Sequence, residues 1–285
     1  MFVSIEIPRQ FLKTCIAFGK KAEADIDKIG RIELLDSIEG WKRARLYTYY
    51  SQGLNIFENR VKFVLDTIDR KMERLDVTDQ ILRGMLELYC RFLFIVRSEE
   101  IDKFRRIIWQ DLVTYCNLYV APQIAKQFSS LMQVNYKILE NLGEDVSSLN
   151  IEAIKEELSI SYSKMTETKK LRKLRERMGF PSIRKILVKY YDETEEPIIA
   201  RKDLYRLYSR LSEQIHGNIY YEIPDAPAET AIFRILASVI LLQVKFHREI
   251  ALITRSDKEY GILLGQFREI RADFSYLWDL TKKAI

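Results

Sequence analysis

A chain of 285 residues, 47% hydrophobic and 31% charged, has the balance of a water-soluble globular protein and ample length for a substantial core. Ten glycines and six prolines are too few for a turn-rich β protein. The net charge of +5 is mild, so its distribution matters more than its size.

Apolar residues recur at helical spacing almost throughout, and strand alternation is missing. In chain order, the pattern predicts a helix over residues 8–29 and a long aromatic-rich one over 38–75, in which Gly53 marks a kink or a break. Asp76 and Thr78 are good caps for a helix over 80–97. Helices over 101–119 and 122–142 follow, the second opened by Pro122 at its first turn. Residues 143–150 read as a loop, with Asn150 capping a basic helix that runs from Ile151 to Met178 and stops at Gly179. A short helix over 182–191 leads into an acidic linker, and a further helix starts near Ala200. Residues 217–228, with two prolines, read as irregular, and helices over 229–254 and 257–283 complete the chain. The expected architecture is an all-α, multi-helix bundle forming a single domain over 1–285, with residues 144–198 as a candidate appendage.

No apolar run reaches the roughly 18 residues that a membrane-spanning helix needs. The best candidate, 231–244, is interrupted by Arg234. The N-terminal residues lack the basic start and apolar stretch of a secretion signal. Cys15, Cys90 and Cys116 form neither a metal-spaced pair nor an even disulfide set, so a reducing cytoplasm is the natural setting. His247 has no usual metal ligand three or four residues away, and no phosphate-binding glycine loop, nucleophile elbow or zinc-hydrolase motif occurs. Neither a metal nor another cofactor is expected.

Two segments carry candidate chemistry. The predicted helix that starts near Ala200 places Tyr208, Ser212 and His216 four residues apart, which stacks a phenol, a hydroxyl and an imidazole on one face. The apolar helix over 80–97 carries Arg83 and Glu87, also four apart. A helix that apolar is largely buried, so its charges need partners. They form a surface pair, or they meet Tyr208, Ser212 and His216 across a helix interface. There Glu87 would orient the imidazole and Arg83 would bind an anionic oxygen.

From Lys164 to Arg177 there are seven basic and two acidic residues, an excess equal to that of the whole chain. Within this run Lys169, Lys170, Arg172, Lys173 and Arg175 are candidate phosphate contacts. The alternative is a solvated helix face whose Leu171 and Leu174 pack inward. Tyr162, just upstream, is a candidate for stacking on a base. The tyrosines of the second helix are core, or an interface between two copies.

The pairing of Arg83-x3-Glu87 in an apolar helix with Tyr208-x2-Leu211-Ser212-x3-His216-Gly217 resembles a prokaryotic family of HEPN-like helical bundles, over roughly residues 40–250. Many such proteins are metal-independent endoribonucleases of toxin–antitoxin or defence systems, with an arginine, four to six residues and then a histidine, commonly completed across a dimer. Arg210 and His216 fit that spacing, although the family's polar residue after the arginine is Leu211 here. The resemblance implies that His216 moves the 2′-hydroxyl or leaving-group proton while Arg210 stabilises the phosphate. On a straight helix these two residues point about 120° apart. They converge if the helix ends near Gly217 or if a partner chain completes the site. RNA, a second copy and a protein partner such as an antitoxin are the expected partners. A non-catalytic interaction module and a small-anion pocket are the alternatives.

Overall fold

The computed structural model describes residues 6–30, 37–69, 75–117, 122–195, 199–215 and 228–273. Over these residues it is all-α, with eleven helices: α1 (Glu6–Gly30), α2 (Ile38–Asp69), α3 (Leu75–Arg97), α4 (Glu100–Asn117), α5 (Pro122–Asn141), α6 (Ile151–Lys164), α7 (Lys169–Met178), α8 (Ile183–Tyr190), α9 (Arg201–Ile215), α10 (Ala228–Thr254) and α11 (Asp257–Asp273). None of them is long and apolar enough to cross a membrane.

The chain divides into two compact units. One comprises residues 1–29, 50–93 and 183–285, the other residues 30–49 and 94–182. In the first, α1 buries Phe11, Leu12, Cys15, Ala22 and Ile26, the three-and-four spacing of an amphipathic helix. The rings of Phe57 on α2 and Phe246 on α10 stack at 4.2 Å, and Phe92 on α3 lies 4.6 Å from Phe246. Gly53 does not break α2, which is continuous through it. A side chain there would come within 3.1 Å of the Phe92 ring, so the glycine is a packing residue.

The same core encloses polar groups. Glu58, Gln243 and His247 are buried, and the Glu58 carboxylate occupies the space that a Cβ on Gly19 would fill. His247 Nε2 lies 3.4 Å from that point and 3.4 Å from Gln243 Nε2.

In the second unit α4 packs against α5, α6 and α7. Buried Glu144 accepts from both Arg105 and Arg177, and Arg177 also donates to Ser148 Oγ at 2.9 Å. Pairing of this kind lets the carboxylate remain in the interior. Asn135, buried on α5, donates to Asp111 on α4 at 2.8 Å.

The expected single basic helix over 151–178 is two helices. Asn150 Oδ1 caps α6 by accepting from the amides of Glu152 and Ala153. α6 ends at Met165, whose φ of 51° is left-handed, and the Thr166 amide donates back to Ser161 O. Thr168 Oγ1 then accepts from the Leu171 amide and starts α7. The left-handed turn at Met165 and the Thr168 side-chain cap outweigh the continuing apolar period. α3 begins earlier than expected, at Leu75, so Thr78 lies inside it, fully buried.

Candidate functional site

α3 turns almost its whole circumference inward, with Leu82, Met85, Leu86, Tyr89, Cys90, Phe92 and Leu93 buried. Arg83 and Glu87 occupy the remaining strip, one turn apart, and Arg83 Nε donates to Glu87 Oε1 at 3.2 Å. Their side chains are 22% and 29% exposed, so the pair is neither a surface pair nor a sealed one.

α9 presents Tyr208 to this strip. Its hydroxyl donates to Glu87 Oε1 at 3.5 Å, and the Arg83 guanidinium carbon lies 5.7 Å from the ring centroid. Arg83, Glu87 and Tyr208 therefore meet across the α3–α9 interface. Ser212 instead donates to Tyr208 O at 2.8 Å and so spends its proton on the helix backbone. Leu211 is 1% exposed. It is a core position of α9, which explains the apolar residue after the arginine. Arg210 is half-buried and engaged by neighbours of its own. His216 and Gly217 lie outside the described residues.

One cluster member escapes a reading of the sequence. Arg60 on α2 reaches α3 where Gly84 has no side chain, and its Nη1 lies 3.0 Å from where a Cβ would stand. Burial pulls its guanidinium below the usual value, with Glu87 opposing that shift and Arg91 adding to it. Among the described residues it has no hydrogen-bond or ion-pair partner. The only signal available in the sequence was Gly84, an isolated glycine inside an apolar helix. Arg83 bonds the Glu87 carboxylate, Arg60 lies within range of its charge, and Tyr208 supplies a phenol. The chemistry is that of an anionic oxygen held between guanidinium groups.

The basic run behaves differently. Lys169, Lys170, Arg172, Lys173 and Arg175 are all exposed on α7. Glu167 pairs with Arg172 at 3.5 Å and Arg175 at 2.9 Å, and Glu157 pairs with Lys170 at 3.4 Å. Lys169 and Lys173 have no such partner among the described residues. A cavity of about 310 Å³ lies beside them, floored by Ile154, Leu171 and Leu174 and edged by Lys170, Lys173 and Arg177. Tyr162 is 67% exposed, and its hydroxyl donates to Asn117 Oδ1 at 3.1 Å.

The thiols of Cys15 and Cys90 are buried, and burial pushes both well up, away from the nucleophilic thiolate. Among the described residues no three His, Cys, Asp or Glu side chains are grouped to hold a metal ion. No protein-family model matches the chain, and neither does any curated protein or solved structure.

Proposed function

We propose that this protein is an RNA-directed, HEPN-like protein, a metal-independent endoribonuclease that acts as a homodimer. The reading is supported above all by one observation: Arg83 and Tyr208 both bond Glu87, and Arg60 stands beside Gly84 on the same α3 strip within range of the Glu87 charge, in a half-open cluster on α2, α3 and α9. Two guanidinium groups against one carboxylate leave net positive charge for a phosphodiester. His216 and Arg210 are the catalytic pair of this proposal. His216 takes the proton of the ribose 2′-hydroxyl, whose oxygen attacks the adjacent phosphorus while the bond to the 5′-oxygen breaks. The leaving 5′-oxygen takes a proton from water or from the imidazolium so formed, a 2′,3′-cyclic phosphate results, and Arg210 stabilises the charge that develops on the phosphate. Arg83, Glu87, Tyr208 and Ser212 hold the surroundings of that step, and Lys169 and Lys173 of α7 offer further phosphate contacts. The setting is the cytoplasm, within a prokaryotic defence or toxin–antitoxin system whose protein partner restrains the enzyme.

A second reading, a non-catalytic module or a small-anion pocket, is favoured by the way Arg83, Glu87 and Tyr208 satisfy one another. Metal-free incubation of mixed RNA with the wild type and with His216→Ala separates the two. Circular dichroism should show both proteins equally helical, with cleavage by the wild type alone. Equal background from two folded proteins would reject the ribonuclease and favour the module.

A further inference from the structure

α8 packs against α9, and a groove of about 660 Å³ opens along them. It is lined by Arg184 and Val188 of α8, Glu193 of the following turn, and Arg201, Lys202 and Tyr205 of α9. Arg184 and Lys202 are exposed, and neither has an ion-pair partner among the described residues. Among the described residues Glu193 is the single carboxylate of the lining, and one of its oxygens is taken by the Arg201 amide at 2.6 Å. Arg201 Nε is buried without a hydrogen-bond partner. Among its described lining residues the groove thus holds three cations against one carboxylate already engaged on the backbone.

Tyr205 supplies the second kind of surface. It is 37% exposed in the groove wall, and its ring lies 6.4 Å from that of Tyr208, whose hydroxyl reaches Glu87. Tyr205 thus stands beside Tyr208 on the same helix, next to a member of the Arg83–Glu87–Tyr208 cluster. A lone phosphate would leave Tyr205 and most of the volume unused. An acidic peptide would satisfy the cations but not the ring. A strand of phosphates carrying flat bases uses all of them, because arginine forks onto phosphate oxygens while tyrosine stacks on any base.

We propose that the α8–α9 groove is a binding track for single-stranded RNA, with Tyr205 as a base-stacking platform and Arg184, Arg201 and Lys202 as phosphate contacts. The track delivers the strand to the cluster around Glu87, and in this respect it rests on the ribonuclease reading. The test is fluorescence anisotropy of the full-length protein with a short fluorescein-labelled oligouridylate, titrated over a salt series. Arg184→Glu with Lys202→Glu should weaken binding about tenfold or more and flatten the salt dependence by about 0.7 for each phosphate no longer neutralised. Tyr205→Ala should weaken binding about fivefold or more with the salt dependence unchanged, as expected for lost stacking. Lys169→Glu with Lys173→Glu on α7 makes the same charge change elsewhere and should cost less. If the wild type binds and the groove variants bind equally well, or no worse than the α7 variant, the track is overturned while the RNA reading stands. No binding by the wild type would overturn both.

Discussion

Arg60 and Gly84 show how one missing side chain positions a functional group. A guanidinium on α2 packs on the α3 strip where position 84 has no Cβ, and a side chain there would push it by a few tenths of an ångström. Gly84→Ala should leave stability within about 1 kcal/mol of wild type, since alanine's better helix propensity offsets the tighter contact. RNA binding should nevertheless weaken by about threefold to tenfold, a loss of up to about 1.4 kcal/mol, because the guanidinium must move. Urea unfolding and anisotropy on the same preparation check both halves. Unchanged affinity would show that Arg60 does not touch the ligand. Gly53 is the packing counterpart, where the absent side chain makes room for the Phe92 ring.

The break between α6 and α7 is a property of two caps rather than of a sequence without helical tendency. Met165 is 92% exposed and held in the left-handed region, a conformation that costs a non-glycine residue about 1–2 kcal/mol. Met165→Gly should therefore stabilise the protein by about 1 kcal/mol, less what glycine adds to the freedom of the unfolded chain. A higher urea midpoint with an unchanged slope is the expected result. A lower midpoint would mean that the exposed methionine makes a stabilising contact. α9 makes the complementary point: its period aligns Tyr205, Tyr208 and Ser212, yet Ser212 bonds its own backbone while Tyr208 crosses to α3.

Stability of the molecule as a whole should carry the mark of the buried Glu58–His247 region. Burial pushes the Glu58 carboxyl up from its ordinary 4.5 to about 7, with Glu23 adding to the shift and Lys62 and Lys20 opposing it. A carboxyl raised on folding binds its proton more tightly in the folded state. Its contribution is therefore fully present below pH 4.5 and lost as pH rises through 7. His247 has the opposite sign. Burial lowers it from 6.5 to about 3, so its contribution is present above 6.5 and lost as pH falls through 3. Glu58→Gln removes only the first effect. Relative to that variant, the wild type should lose about 3 kcal/mol between pH 4.5 and pH 7, because each tenfold gain in proton affinity on folding is worth about 1.36 kcal/mol. Urea unfolding at acid and neutral pH measures it, and a constant difference would show that the carboxyl titrates normally.

Helical content, most helix ends and the Asn150 cap follow from short-range chemistry, so they are legible in the sequence without any knowledge of the fold. Pro122 opens α5 and Asn150 caps α6 as their side chains dictate. The i,i+4 geometry that joins Arg83 to Glu87 is likewise local. Periodicity also marks α3 as a buried helix whose charges need partners, and Tyr208 as a candidate among them. Arg60 and the α8–α9 groove are not legible in this way. Arg60 lies 23 positions before Arg83 in the chain, and no period links residues on different helices. Helical spacing fixes which way a side chain points from its own axis. Which guanidinium stands beside Glu87, and whether a cation faces a groove or a carboxylate, depends on how apolar faces far apart in the chain are buried against one another. That choice is made by packing the core.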